Sequence, residues 1–312
     1  VSAFGLATTF LAQTARMAVP YVCAALGGVW SERSGVVNIA LEGMLLSAAL
    51  AAIAVSHATG SPWAGVLGAA VIGGAFGLVH GLVTRSRVDA IISGVALNLV
   101  AAGGTRFLLR ALYDSSSNSP AVAGFRAFGH GGSSGALLLV RTLTDPLTLL
   151  AGAMTVVTTA ALYRTRFGLR VRACGEDPEA AASVGVPVLR VRLQAVTLGG
   201  AICGLGGAAL AYDQHQFGSG MSGGRGFIAL AAVIVSGWRP GRAALACTLF
   251  AGLDALQIIV QQGTRVPHDV VQALPYVATL LVLVAIGRRR GLANSAGEGH
   301  EARPPAALGR VF

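Results

Sequence analysis

The chain has 312 residues, 54% hydrophobic and 12% charged, with a formal net charge of +10 and a mean hydropathy of +0.68. Soluble domains carry about twice that charged fraction, so the composition excludes an ordinary soluble globular protein. All 23 basic residues are arginine, and without a lysine the chain cannot contain a GxxxxGK[ST] phosphate loop.

The apolar residues come in long runs without strand-like alternation. That pattern predicts an all-α fold, a polytopic transmembrane bundle of about 8–10 helices. The arginines sit at the ends of apolar segments and form no basic stripe interleaved with aromatics, which excludes a nucleic-acid interface. Cys23, Cys174, Cys203 and Cys247 are scattered, as are the six histidines, so neither a disulfide framework nor a metal site is implied.

The first apolar segment, about Phe4 to Val29, is interrupted by Gln13, Arg16 and Pro20. It reads as a retained helix. A signal peptide is the alternative, but no basic residue precedes the run and no small-x-small cleavage site follows it. Ser34 and Gly35 break the chain before a second helix that ends near Ser56. A third, about Trp63 to Thr84, carries Gly73, Gly77 and Gly81 at i, i+4 and i+8, a flat ridge for close helix packing. The fourth covers about Val88 to Leu112, with Asn98 inside it. A long Ser- and Gly-rich loop, Tyr113 to Asp145, is placed outside. A fifth helix, about Pro146 to Tyr163, leads back inside.

Residues 164–192 form a polar island flanked by Arg164, Arg166, Arg170, Arg172, Arg190 and Arg192. At its centre Asp177 suits an N-cap, Pro178 the first helical position, and Glu179 the positive end of the helix dipole. Gly185 and Pro187 then stop the helix after about two turns. A helix that short is unstable alone, which points to a partner protein docking there. The bland alternative is a solvated loop that only fixes topology.

A sixth helix, about Leu193 to Tyr212, carries Gly200 and Gly204. The stretch Gly218 to Phe227 contains a literal GxGxxG, but no strand precedes it, so a dinucleotide site is excluded and a flexible outer loop is expected. Phe227 to Trp238 is too short to cross as a straight helix. Helices at about Ala243 to Gln261 and Val270 to Ile286 follow, and the tail 291–312 is expected to be disordered. The organisation expected is therefore a transmembrane domain over 1–290, with the island as a cytoplasmic loop, and a cytoplasmic tail. The arginine bias places the island and the C-terminus in the cytoplasm. About nine crossings would put the N-terminus outside, and re-entry of the short piece would change that parity.

Polar side chains inside membrane helices are costly and are candidates for function. Asn38 and Glu42 share a face; Asn98 lies mid-helix; Asp254, Gln257 and Gln261 follow i, i+3, i+7 spacing. These residues either line a path for a hydroxyl-rich solute or lock the bundle by interhelical hydrogen bonds. No nucleophile–base pair stands out, so no catalytic residue and no cofactor is assigned.

The stretches SERSGVVNIALEGMLL, VDAIISGVALN, GLRVRACGEDPEAAASVGVPVLRVR and GRGFIALAAVIVSGWRP, in that order, resemble permeases of bacterial ABC importers for branched-chain amino acids, ribose and nucleosides. The resemblance covers about Phe4 to Arg290 and is nearest the nucleoside and simple-sugar branch. It implies a type II importer-like fold in the bacterial cytoplasmic membrane. It also implies a homo- or heterodimer with a second permease, a separate ABC ATPase, an extracytoplasmic binding lipoprotein and a small-molecule solute. By the same resemblance Gly175, Glu176, Asp177, Pro178, Glu179, Ala180, Ala181 and Gly185 form the ATPase-coupling segment. Asn38, Glu42 and Asn98 would line the solute path, to which Asp254 and Gln257 are added from their spacing. The alternatives are the same machine carrying branched-chain amino acids, a proton-coupled secondary transporter using Glu42 or Asp254, and a non-transporting scaffold.

Overall fold

The computed structural model describes residues 3–125, 135–263, 277, 281, 284 and 304–309. Within them the chain forms α1 (Ala3–Arg33), α2 (Leu41–Thr59), α3 (Pro62–Arg85), α4 (Ala90–Tyr113) and α5 (Gly135–Leu143). There follow α6 (Pro146–Arg164), α7 (Arg166–Glu176), α8 (Pro178–Ser183), α9 (Val188–Asp213), α10 (Arg225–Val235) and α11 (Pro240–Gly263). Six of these, α2, α3, α4, α6, α9 and α11, are long and apolar enough to cross a membrane. The expected helix at about Val270 to Ile286 lies outside the described residues except for positions 277, 281 and 284.

Helix starts follow local chemistry. Asp89 accepts hydrogen bonds from the N–H groups of Ile91 (2.7 Å) and Ile92 (3.3 Å). Asp145 does the same for Leu147 (3.0 Å) and Thr148 (3.3 Å). Each carboxylate satisfies two of the N–H groups that a helix leaves unpaired at its start. Pro20 lies within α1 without ending it, and residues 21–31 beyond it are buried.

The middle of the bundle belongs to α9, because its small residues admit neighbours on three sides. On one side it meets α3: a Cβ added at Gly73 would lie 2.8 Å from Gly204 Cα, and one at Gly77 would lie 3.2 Å from Gly200 Cα. On another, Gly199 packs against the Gly27 carbonyl of α1 at 2.5 Å from an added Cβ. On the third, a Cβ at Gly207 would lie 2.6 Å from the Leu45 carbonyl of α2. In lipid no water-driven collapse joins helices, so this close backbone approach supplies the packing energy. Gly200→Val is expected to destabilise the fold by about 1–3 kcal/mol, as overpacking does. The check is a lower thermal midpoint of the purified protein.

The structure differs from the sequence expectation in four places. The outer loop contains α5, an apolar helix packed on α1; its single short run, GALLLVRTL, sits among glycines and serines that mask it. The island holds α7 as well as the short α8. The Gly218–Gly224 stretch is not only an outer loop: Met221 and Ser222 are buried, and the chain descends to α10. Finally, residues 304–309 of the tail are placed against the end of α7 and the bend between α1 and α2, with Ala307 fully buried. Residues 117–122 pair with 215–219 through Ser119 N–H to Phe217 O (2.9 Å) and Val122 N–H to His215 O (2.8 Å).

Candidate functional site

The polar residues separate into a group in the arginine-flanked island and a group within the membrane-spanning region. In the first, Thr165 caps α7 by accepting from Gly168 N–H (3.1 Å). Asp177 then caps α8, its Oδ1 accepting from Glu179 N–H (3.1 Å) and Ala180 N–H (2.9 Å). Gly185 ends the turn at φ +84°, a left-handed conformation that suits glycine. Two of the expected coupling residues, Pro178 and Ala181, turn inward and are buried, and Gly175 is buried too. The outward face is Glu179, Ala180, Ala182, Ser183 and Val184, with Val184 79% exposed. Sequence reasoning missed Val184; the signal was a large apolar residue just before the stop glycine.

Arg33 anchors this region. Its Nε donates to Trp238 O (3.0 Å) and its Nη2 to Gly237 O (3.2 Å), while Nη1 lies 3.9 Å from Glu176 Oε1. An added Cβ at Gly175 would run into the Arg33 carbonyl, so only glycine allows α7 to lie so close to the end of α1. The Trp238 indole N–H donates to Glu32 Oε2 at 2.5 Å. Arg192 donates from Nη2 to Cys174 O (3.2 Å). Burial pushes the Cys174 thiol up, with the nearby Arg192 charge a smaller opposing effect, so this cysteine is an unreactive packing residue.

Within the bundle, the N-terminus of α10 points at Glu42. Glu42 Oε1 accepts from Gly224 N–H (2.8 Å) and Oε2 from Gly226 N–H (2.7 Å). Asn98 Oδ1 accepts from Gly43 N–H (2.8 Å), and its Nδ2 donates to Ile39 O (3.0 Å), which closes the start of α2. Asn38 is fully buried and donates to Ser31 Oγ (3.0 Å). Glu42 and Asn98 therefore have their polar atoms on backbone groups, whereas Asn38 Oδ1 is buried with no hydrogen-bond partner among the described residues. In lipid such backbone groups have no other partner.

Asp254 and Gln257 are brought together elsewhere. They line a cavity of about 240 Å³ with Met17, Tyr21, Gly223, Arg225 and Ile258. Tyr21 donates its hydroxyl to Asp254 Oδ2 (2.5 Å), and the Arg225 guanidinium sits over the Tyr21 ring at 5.9 Å. Sequence reasoning assigned Arg225 to the outer loop and did not single out Tyr21. The signal for Arg225 was available: it opens an apolar piece too short to span, so that piece must start inside the membrane.

A broken helix whose positive end faces inward beside a polar cavity is an architecture of transporters. Residues 10–286 match the family described as "Branched-chain amino acid transport system / permease component". The chain belongs to this permease family. It is similar to the guanosine ABC transporter permease protein NupQ of Bacillus subtilis, 34% identical over 286 residues, 87% of this chain and 90% of the relative. It is also similar to the nucleoside ABC transporter permease protein NupC of Lactococcus lactis, 33% identical, covering 85% of this chain and 87% of the relative. The putative glucose ABC transporter permease protein TsgC13 of Haloferax volcanii is 34% identical, with 89% and 91% covered. The permease is thus a multi-pass cell-membrane component of an ABC importer. It performs no catalysis itself; ATPase and binding-protein partners accompany a permease of this class.

Proposed function

We propose that this permease imports a neutral, hydroxylated solute, a nucleoside or simple sugar, past Tyr21, Arg225, Asp254 and Gln257. The observation that carries the reading is the cavity that joins these four side chains. A carboxylate and an amide accept and donate hydrogen bonds to hydroxyls, and the arginine offsets the carboxylate charge. The names of the relatives, guanosine, nucleoside and glucose permeases, support the same solute class.

In this reading two ATPase subunits bind the exposed face of α8 on each of two permease subunits, and an extracytoplasmic binding protein delivers solute from outside. Nucleotide-driven closure moves α8. Gly175 and Glu176 bear on Arg33, and Arg33 holds the lower end of α10 through Gly237 and Trp238. The upper end of α10 carries Arg225 into the cavity, so a shift of α10 reshapes the solute site.

The test is ATP-driven uptake of labelled guanosine, glucose and leucine into proteoliposomes holding the complete importer. Asp254→Asn removes a charged acceptor, whose hydrogen bonds contribute about 1.5–3 kcal/mol each, so KM for the preferred solute rises by roughly ten- to a hundredfold. Preference for leucine, or unchanged uptake of all three solutes by the Asp254→Asn permease, refutes the reading.

A further inference from the structure

The segment Pro304–Gly309 accounts for every backbone N–H it possesses. The two prolines have none. Ala306 N–H points at Glu176 Oε2 (3.3 Å), Ala307 N–H donates to Gly175 O (2.9 Å), Leu308 N–H turns back to Pro305 O (2.9 Å), and Gly309 N–H donates to Gly35 O (3.0 Å). Pro305 and Ala307 are buried, and Leu308 packs on the hydrophobic core. Two of these bonds meet special needs. Gly175 lies in the last turn of α7, where helix carbonyls lack intrahelical partners. Gly35 stands at φ +94° in the bend between α1 and α2. Complete satisfaction of donors by a fixed set of acceptors is the signature of a built contact, since each buried N–H left unpaired costs free energy.

The two ends of this contact belong to different elements. Gly175 and Glu176 lead directly into Asp177 and α8; Gly35 joins α1 to α2. With the segment in place, Glu179, Ala180, Ala182, Ser183 and Val184 stay exposed, so it leaves the docking face open. We propose that residues 304–309 are a strap that ties the ATPase-coupling segment to the α1–α2 bend, so that motion of α8 is delivered to the membrane helices rather than lost. The strap is a positioning element for transport. It rests on the assignment of α8 as the ATPase contact, and its experiment separates the two.

Deletion of 304–312 and the point variant Ala307→Arg, whose side chain has no room at a fully buried position, both release the strap. Each is assembled with its ATPase and binding-protein partners in proteoliposomes, and three readouts are taken: ATPase retained on the purified permease, ATP hydrolysed, and solute imported per ATP. Coupling free energies of about 1–3 kcal/mol correspond to 5–150-fold effects. Solute imported per ATP is therefore expected to fall at least about fivefold in both variants, with ATPase retention unchanged. Amides 306, 307 and 309 of the intact complex are expected to exchange slowly with deuterated solvent. Unchanged import per ATP in the deletion overturns the strap. Loss of ATPase retention also overturns it, because the segment would then belong to the docking face. Uptake by the intact importer without ATPase subunits would instead refute the α8 assignment.

Discussion

Replacing Glu42 by alanine is expected to cost about 2–6 kcal/mol of stability, because two donors, one buried and one half-buried, lose their acceptor at about 1–3 kcal/mol each. Those donors are the N–H groups of Gly224 and Gly226, both at the start of α10. The loss is a large share of the 5–15 kcal/mol that a typical folded protein has in total. A Cβ at Gly226 would collide with the Glu42 backbone, so the start of α10 and the start of α2 lie in close contact. The carboxylate also faces the positive end of the α10 dipole. Glu42→Gln keeps one carbonyl oxygen and should lie between the wild type and Glu42→Ala. The measurements are the thermal midpoint of the purified permease and solute uptake. The importer of Glu42→Ala should show loss of both together, in contrast with Asp254→Asn, which is expected to alter solute affinity. A Glu42→Ala permease that melts and transports like the wild type would show that the α10 start is held by something else.

This contrast marks where the sequence was informative. Capping cues are local, so the start of α8 was legible from Asp177, and the structure adds the same carboxylate cap at Asp89 and Asp145. The glycine ridge of Gly73, Gly77 and Gly81 was legible too, since only small residues at that spacing permit the approach to α9. The destination of a polar side chain was not. Glu42 and Asp254 look alike as single carboxylates in apolar helices. One meets backbone donors 182 and 184 positions away, and the other meets Tyr21, 233 positions away. Nothing near either residue in the sequence encodes those meetings. The same holds for the tail: PPAALG reads as unstructured by composition, and its order comes from acceptors at Gly175 and Gly35.

The α10 piece shows how a local anomaly can carry non-local information. Arg225–Val235 is apolar but only 11 residues long, about half of what a spanning helix needs. Its start must therefore lie at depth, and a start at depth needs an acceptor for its N–H groups. A carboxylate on another helix was then the natural partner to seek. Read that way, the short piece pairs the otherwise unexplained Glu42 with the glycine-rich stretch before α10, and leaves Asp254 and Gln257 as the residues proposed for the solute.

Val184→Asp is expected to strip the permease of its ATPase while leaving the permease itself intact. Val184 is 79% exposed, the highest exposure among the large hydrophobic residues described. The next most exposed of these, Phe107 and Leu99, lie on α4, a helix long and apolar enough to cross a membrane, whereas Val184 follows a helix in the arginine-flanked island. Beside it Ala180, Ala182 and Ser183 are exposed and small, so a partner backbone can come close and enclose the valine. A buried charge without a counter-ion at such a contact weakens binding by about 2 kcal/mol or more, the scale of an interface hot spot. That is roughly a thirtyfold loss of affinity. The permease should keep its own thermal midpoint, because α8 is fastened inward by Pro178 and Ala181 and capped by Asp177, none of which is touched. Co-purification of the ATPase with Val184→Asp, set beside the thermal midpoint of the lone permease, separates a docking role from a folding role. Full retention of the ATPase would move the contact off this face of α8 altogether.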